Sequence, residues 1–300
     1  ASDVYKRQAY YNNELIDHSD LTVDVRDLGF IMGTTVSERL RTFGGTLYKL
    51  NEHFKRLQES LELTQLKPSI SLTELMDSAT KLVTHNHQFL PTGSDLGLAV
   101  LVTPGISGAD QPNVMMYTDE LPFQQMARWY EAGISLQVSD YRQVPGNCWP
   151  PQLKCRSRMH YYLADQQARQ IQAGARALML DQLGNVAEAS TANILIYEEG
   201  TGLVSPPLEY ILPGISLSVV EQLAVQNEVE FQYDTISIDR LLNAAEIILC
   251  STSPCIWPVT QCNGKAVGKL GHETVTALLQ RTWSQSVGID IVAQASMQSE

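Results

Sequence analysis

The sequence predicts a mixed α/β protein, of the α/β or α+β class, built from two domains. Residues 37–50 alternate in the manner of β-strands on both sides of Gly44-Gly45, and a helical apolar period follows directly. The later part of the chain alternates helical patterns with short apolar strands. With 300 residues, 44% of them hydrophobic, the chain is long enough for two modest cores. We expect a small α/β domain over 1–121 and a larger domain over 122–300.

The first domain is expected to contain a hairpin followed by helices. Gly44-Gly45 supplies the positive φ that a tight turn between two strands needs. Asn51 is the predicted cap of a helix through 52–66, because its side chain can accept a bond from a free backbone N–H. The remaining elements predicted here are a helix at 71–89 and strands at 95–105 and 113–121.

The second domain is expected to begin after a polar segment, residues 119–125, that contains Pro122. No repeat or low-complexity segment interrupts the alternation that follows. The elements predicted here are strands at 134–142, 176–181 and 193–198, helices at 157–173 and 215–227, a turn at 211–216, and strands around 245–253 and 256–262.

Composition excludes several classes of function. The 33 Asp and Glu against 21 Lys and Arg give a net charge of -12, which repels nucleic acid and anionic lipid. No apolar run approaches the roughly 20 residues of a membrane span, so we expect a soluble, cytoplasmic protein. The five cysteines form no CxxC, and His85 and His87 do not share a helix face, so no metal site is expected. Residues 1–8 begin without Met and are assigned no function; the true N-terminus is left open.

Three cations stand close together in "QLKCRSRMHYYLADQQARQ" (152–170), immediately before a predicted helix. Lys154 can act as a covalent catalyst if neighbouring cations or burial lower its pKa, because only the neutral amine attacks a carbonyl. Arg156 and Arg158 are such neighbours. The alternative is a solvated charge cluster, but cations are unfavourable at the positive end of a helix dipole. An anionic cofactor nearby would resolve that conflict.

Three further segments offer groups that an anionic, ring-containing cofactor could use. Glu188 stands between the turn "LGN" and a strand, where a carboxylate can face inward. The turn "ILPGIS" opens a helix, so the N–H groups of Ile215 and Ser216 can bind an anion. Hydroxyls at 251–253 end a strand. Capping and turn formation explain each segment when it is taken alone.

In this order, these segments resemble the fold-type IV pyridoxal-phosphate enzymes, which include branched-chain and D-amino-acid aminotransferases and aminodeoxychorismate lyase. The resemblance covers nearly the whole chain. It is carried by "DLGFIMGTTVSERLR" (27–41), "NEHFKRL" (51–57), "LKCRSRM" (153–159), "LDQLGNVAEASTANI" (180–194), "ILPGIS" (211–216) and "STSPCIWPV" (251–259). It implies pyridoxal 5'-phosphate as cofactor, and a larger C-terminal domain that binds it with a barrel-like sheet.

The resemblance also implies a role for each matching residue. Lys154 would bond covalently to the cofactor aldehyde and then move the proton at the substrate α-carbon, and Glu188 would pair with the pyridine nitrogen. Arg56 matches the arginine that binds the cofactor phosphate. The other phosphate-binding positions that the resemblance implies are Ile215, Ser216, Ser251 and Thr252.

Four positions depart from the family pattern, namely Leu28, Ser37, Pro104 and Met159. Pro104 stands where D-amino-acid aminotransferases carry an arginine that binds the substrate carboxylate, so another group must bind it here. Arg39 and Arg41 lie two apart on a predicted strand and share the side of Ser37, which the family turns toward the substrate. Our hypothesis is that one of them binds the carboxylate; the alternative is surface arginines on an edge strand.

The function predicted first is an aminotransferase that moves an amino group between a branched-chain or D-amino acid and a 2-oxo acid. One alternative is aminodeoxychorismate lyase, which makes 4-aminobenzoate and pyruvate with the same lysine and cofactor. Another is a non-catalytic scaffold of the same fold, although the presence together of Lys154, Glu188 and Arg56 argues against it. By resemblance, the protein is expected to be a homodimer whose sites lie between the domains, near the subunit interface.

Overall fold

The computed structural model describes residues 6–299. Residues 1–5, within the segment to which the sequence assigns no function, lie outside that range. The contacts divide the chain into two compact units. The first runs to Leu121 and also includes Leu153–Ser157, and the second comprises Pro122–Gln152 and the chain from Arg158 onward. Within the described range, no helix is both long and apolar enough to span a bilayer.

The first unit is a sheet covered by helices. Its strands are β1 (Gln8–Tyr11), β2 (Glu14–Asp17), β3 (Val36–Phe43), β4 (Thr46–Leu47), β5 (Leu96–Thr103) and β6 (Asn113–Glu120). Its helices are α1 (Leu28–Ile31), α2 (Leu50–Thr64) and α3 (Leu72–His87). The strands lie in the order β2-β1-β6-β5-β3-β4, with every neighbouring pair antiparallel. Leu40 and Leu98 of the sheet pack with Phe54, Leu57 and Leu82 of the helices in one core.

The predicted hairpin around Gly44-Gly45 is confirmed, and both glycines have positive φ, 56° and 79°. The helix that follows is confirmed, but its predicted cap is wrong. Pairing of the hairpin continues to Tyr48, whose N–H donates to the Arg41 carbonyl at 3.0 Å. Lys49 then turns the chain with a φ of 53°, so the helix begins at Leu50 and Asn51 already lies inside it.

The second unit is built on a mixed sheet. Its strands are β7 (Ile134–Val138), β8 (Arg176–Leu180), β9 (Val186–Ala189), β10 (Asn193–Glu198), β11 (Gly202–Ser205), β12 (Phe231–Tyr233), β13 (Glu246–Ser251), β14 (Cys255–Cys262) and β15 (Lys265–Ala266). Its helices are α4 (Phe123–Ala132), α5 (Met159–Ile171), α6 (Ile215–Gln226), α7 (Ile238–Leu242), α8 (Val275–Val287) and α9 (Ile291–Met297). The strand order is β12-β11-β10-β13-β14-β7-β8-β9, and β15 pairs with β14.

A helix, α4, begins within the segment 119–125, in which the sequence indicated only a polar boundary. Pro122 is the N-cap of α4, and the helix buries Phe123, Met126 and Tyr130. These apolar residues are three and four positions apart, which is the spacing of one helix face. The polar side chains between them belong to the opposite face. Pro122 therefore stands both at the start of the second unit and at the start of a helix.

Candidate active site

The segment that carries Lys154 is part of the first unit and is held there by hydrogen bonds of its backbone. The N–H of Ser37 in β3 donates to the Lys154 carbonyl at 2.9 Å, and the N–H of Arg156 donates to the Thr35 carbonyl at 2.8 Å. On the other side, the Lys154 N–H donates to Ser60 Oγ of α2 at 3.2 Å. Backbone bonds in two directions therefore fix the position from which the lysine side chain starts.

Arg56 is bound to a buried carboxylate. Its Nε donates to Glu38 Oε1 at 2.7 Å, and its Nη2 donates to Glu38 Oε2 at 2.9 Å. His53, three positions earlier on α2 and thus on the same helix face, places Nδ1 2.8 Å from the same Oε2. Glu38 is 0% exposed. Because a guanidinium carries five N–H donors, an arginine held in this way can also bind a second anion.

The charges of this cluster act on each other and on Lys154. Burial alone would raise the pKa of Glu38, but the charge of Arg56 and the bonds from His53 and Arg56 lower it well below its ordinary value. Burial lowers the pKa of His53 against the influence of Glu38, and the charges of Arg56 and Lys154 lower it further. Within the first unit, the charges of Lys154 and Arg56 therefore both act on the imidazole of His53. Sequence reasoning did not single out Glu38 or His53, although both lie in the quoted motifs.

Glu188 lies within β9 and is 3% exposed. Its Oε1 accepts hydrogen bonds from the Tyr161 hydroxyl and from Gln143 Nε2. The N–H of Leu212 donates to Oε2 at 3.4 Å. Burial, followed by the charge of Glu188, raises the pKa of Tyr161 well above its ordinary value, so the phenol stays protonated and donates. Neither Tyr161 nor Gln143 was predicted, and only the tertiary structure pairs them with Glu188.

The first residues of α6 are Ile215 and Ser216, as predicted, and the N-cap residue, Gly214, makes no side-chain capping bond. Gly214 is needed at the N-cap for a steric reason, because a Cβ there would lie 2.0 Å from Asn193 Oδ1. Asn193 in turn donates from Nδ2 to the Leu212 carbonyl at 2.9 Å. Leu212, which also donates to Glu188, thus connects the carboxylate with the helix terminus.

Ser251 and Thr252 lie at the end of β13. Ser251 is the last residue of the strand and pairs with Cys255, and Thr252 begins the turn between them. The preceding residue, Cys250, pairs with Asn193 of β10. The second unit therefore connects Glu188, the start of α6 and the end of β13 through Asn193 and its hydrogen bond.

Arg39 is held in an ion pair. Its Nη2 lies 2.6 Å from Asp119 Oδ1, and its side chain is 24% exposed. The guanidinium crosses over Gly97, where a Cβ would lie 2.0 Å from Nη2. Gly97 therefore leaves the space that the Arg39–Asp119 pair fills.

Arg41 is inside the unit rather than at its surface. It is 1% exposed, its guanidinium carbon lies 3.9 Å from the centre of the Phe43 ring, and its Nε donates to the Thr42 carbonyl at 3.1 Å. The alternative of two surface arginines is therefore wrong for Arg41. On the same strand, Ser37 is 1% exposed and its Oγ has no hydrogen-bond partner among residues 6–299.

The groups in the second unit fit pyridoxal phosphate by their chemistry. A buried carboxylate suits a protonated pyridine nitrogen, and a helix N-terminus without a side-chain cap suits a phosphate. The hydroxyls at the end of β13 are further donors of the kind that phosphate oxygens accept.

Comparison with known proteins identifies relatives over most of the chain. D-alanine aminotransferase of Bacillus licheniformis is 28% identical over 285 residues, which cover 92% of this chain and 96% of that one. The Staphylococcus haemolyticus enzyme of the same name is 25% identical over 290 residues, which cover 93% of this chain and 98% of that one.

Solved structures show the same fold. Branched-chain aminotransferase of Escherichia coli has a TM-score of 0.86 at 23% identity, covering 93% of this chain and 94% of that one. Branched-chain aminotransferase of Thermoproteus uzoniensis, solved with norvaline, has a TM-score of 0.83 at 23% identity, covering 94% of each chain. These likenesses confirm the predicted fold class. The model of the class IV amino-transferase family matches residues 35–262, which is well over half of the chain, and the protein therefore belongs to that family.

Proposed function

We propose that this enzyme transfers an amino group between an amino acid and a 2-oxo acid, with pyridoxal phosphate as its cofactor. Class IV aminotransferases depend on this cofactor. The observation that carries the proposal is the connection, within the second unit, of the buried carboxylate of Glu188 with the uncapped start of α6. One of these groups suits a cationic ring and the other suits a phosphate.

Lys154 is the proposed catalytic residue. When bound, pyridoxal phosphate supplies an aldehyde that takes up the amino group and a ring that delocalises the electrons left at the α-carbon. The Lys154 amine then moves the proton at the α-carbon. Its backbone bonds to Ser37 and Ser60 limit where the amine can reach. Glu188 would favour a protonated ring nitrogen, which would make the ring a better electron acceptor.

The proposed phosphate-binding groups come from three places. Arg56 supplies a guanidinium whose orientation Glu38 fixes. The start of α6 supplies the N–H groups of Ile215 and Ser216, and the end of β13 supplies the hydroxyls of Ser251 and Thr252.

The substrate carboxylate is proposed to bind Arg39 or Arg41. The two differ in their surroundings, because Arg39 pairs with Asp119 while Arg41 is buried against Phe43. Each arginine is to be replaced by leucine and the KM measured for amino-acid donors. A KM at least tenfold higher in one variant identifies the binding residue, and an unchanged KM in both contradicts this part of the proposal.

The function is tested with the purified protein and added pyridoxal phosphate. We expect a visible absorption band, and borohydride reduction should attach the cofactor to Lys154, as located by mass spectrometry. Lys154→Ala should lose both signals, whereas Lys81→Ala, which removes an exposed lysine of α3, should keep them. A wild-type protein that takes up no cofactor would be the scaffold of the same fold and not an enzyme.

Substrates are tested as D- and L-amino acids paired with pyruvate or 2-oxoglutarate, beginning with D-alanine and the branched-chain amino acids. Addition of the donor alone should convert the bound cofactor to its amine form. Release of pyruvate from aminodeoxychorismate without an acceptor would identify a lyase instead. We also infer that the protein is a homodimer, which light scattering coupled to size-exclusion chromatography measures directly.

A further inference from the structure

Two side chains that the proposed mechanism does not use hold the carboxylate of Glu188. The Tyr161 hydroxyl and Gln143 Nε2 both donate to the same oxygen, Oε1. Gln143 Nε2 also lies 3.5 Å from the Tyr161 hydroxyl, so the three side chains form one connected group. The other oxygen, Oε2, accepts the longer bond from the Leu212 N–H.

The two donors start from well-fixed positions. Tyr161 lies in the first turn of α5, and its ring centre is 4.1 Å from that of His160. Gln143 follows β7, and its backbone N–H donates to the Leu180 carbonyl at the end of β8 at 2.9 Å. Its own carbonyl accepts a bond from Gln182 Nε2 at 2.8 Å. Helix and sheet thus place both donors independently of Glu188.

The terminal torsion of a glutamate is intrinsically broad, because rotation about an sp³–sp² bond has shallow minima. Two donors on one oxygen remove that freedom, since rotation of the carboxylate would break both bonds. Bonds to an ionised carboxylate are also stronger than bonds between neutral groups. The Tyr161 and Gln143 pair therefore sets the plane of the carboxylate as well as satisfying it.

We propose that Tyr161 and Gln143 are positioning residues that rotate Glu188 so that Oε2 faces the ring nitrogen of the cofactor. This inference rests on the proposed function, because it assigns Glu188 to that nitrogen. Tyr161 and Gln143 act through Glu188 and touch neither substrate nor cofactor in this role. Their loss should weaken cofactor binding and change the electronic state of the ring.

The test uses Tyr161→Phe, which removes one hydroxyl from the group. The matched control is Tyr162→Phe, because Tyr162 is the next residue on α5 and is 61% exposed. The dissociation constant of pyridoxal phosphate is measured by titrating cofactor-free protein. We expect about a tenfold weaker affinity in Tyr161→Phe, as a lost bond to a charged group implies, and less than twofold in Tyr162→Phe. Gln143→Met serves as a second variant and should weaken binding in the same direction.

Spectroscopy separates positioning from a general structural role. The pH midpoint of the visible band is compared in the wild type, Tyr161→Phe and Glu188→Gln. The midpoint should move in the same direction in both variants, and further in Glu188→Gln. Urea unfolding of the cofactor-free forms shows whether a variant has lost its fold. If Tyr161→Phe has lost its fold, the cofactor affinity of Gln143→Met tests the inference in its place.

The double variant tests whether Tyr161 acts through Glu188. In a Glu188→Gln background, Tyr161→Phe should change cofactor affinity by less than twofold. A full tenfold effect in that background, or no effect of Tyr161→Phe in the wild type, overturns the inference while Glu188 keeps its proposed role. If Glu188→Gln itself leaves the affinity and the band unchanged, the assignment of Glu188 fails, and the inference fails with it.

Discussion

Glu38 in the first unit and Glu188 in the second are both buried carboxylates, exposed by 0% and 3%, but their surroundings differ. Glu38 is bound through both oxygens by the Arg56 cation. Three of the groups that donate to Glu188 are a phenol, an amide and a backbone N–H, which are all neutral. Such donors stabilise an ionised carboxylate without supplying a positive charge.

The difference separates two tasks of a buried acid. Glu38 is part of an ion pair that the chain makes internally, and its effect is to fix an arginine. Glu188 accepts hydrogen bonds from neutral groups, and this arrangement suits a cation brought by a ligand, such as a protonated pyridine. The comparison therefore predicts that Glu38 contributes mainly to folding and Glu188 mainly to binding.

The largest effect is expected from Glu38→Gln. The neutral amide would leave Arg56 buried without its carboxylate, and the loss of one partner of a buried pair costs about 3–5 kcal/mol. Urea unfolding of the cofactor-free protein measures this change. The matched control is Glu198→Gln, because Glu198 pairs with Arg240 at 2.9 Å while both side chains remain partly exposed, 23% and 24%.

The control should lose less than about 1 kcal/mol, as is usual for pairs near the surface. If Glu38→Gln is as mild as Glu198→Gln, the first unit does not depend on its buried ion pair. The contrast between the two carboxylates would then be unfounded.

Much of the fold could be predicted from local patterns, whereas the partners of the site residues could not. Gly44-Gly45 predicts its hairpin because positive φ is a property of the residues themselves. The Glu38–Arg56 pair joins a strand to a helix 18 positions later, and the Tyr161–Glu188 bond spans 27 positions. No periodicity encodes such distances along the chain. The family motifs indicated Arg56 and Glu188 but not the groups that orient them.

Asn51 and α4 are two places where local sequence patterns did not predict the structure. Asn51 has the side chain of a good cap, but hairpin pairing through Tyr48 leaves only Lys49 to begin the turn into the helix. At the start of α4, the polar residues of 119–125 indicated a boundary, although Phe123 and Met126 keep a helical spacing. Strand pairing decides the first case and burial of one helix face decides the second, and both are properties of the folded unit.

The next largest effect is expected from Gly214→Ala in the second unit. Gly214 has a φ of −72°, which alanine adopts readily, so the expected damage comes from the contact with Asn193 alone. Crowding of this kind costs about 1–3 kcal/mol. Because Asn193 and Leu212 connect α6 to Glu188, the variant should also bind pyridoxal phosphate more weakly. Unfolding and cofactor titration measure the two effects.

Gly146→Ala is the matched control, because the nearest atom to a Cβ there is Pro151 Cδ at 3.7 Å. It should leave both measurements unchanged. Equal behaviour of the two variants would show that the close approach at Gly214 does not support the second-unit site.

A smaller stability effect is expected from Glu188→Gln. Glutamine keeps one oxygen that can accept from Tyr161, and Tyr161, Gln143 and the Leu212 N–H are neutral donors, so the cofactor-free protein should lose only about 1 kcal/mol. Its affinity for pyridoxal phosphate should fall much more than its stability. A loss of unfolding free energy equal to that of Glu38→Gln would contradict the division between a folding acid and a binding acid.

The smallest effect concerns the pH dependence of the helix that carries Tyr161. Burial, and then the charge of Arg158, lowers the pKa of His160 to about 4 from 6.5. Above pH 6.5 this histidine is neutral in both the folded and unfolded states and contributes nothing to the pH dependence. As the pH falls from 6.5 toward 4, only the unfolded state takes up the proton, so the folded state loses stability.

His160→Asn removes this loss. Because the side chain is partly solvated, the wild type should lose about 0.5–1 kcal/mol more than His160→Asn between about pH 7.5 and 5. Urea unfolding of both proteins at the two pH values measures the difference, and an identical loss in both would show that the environment of His160 does not disfavour its charged form.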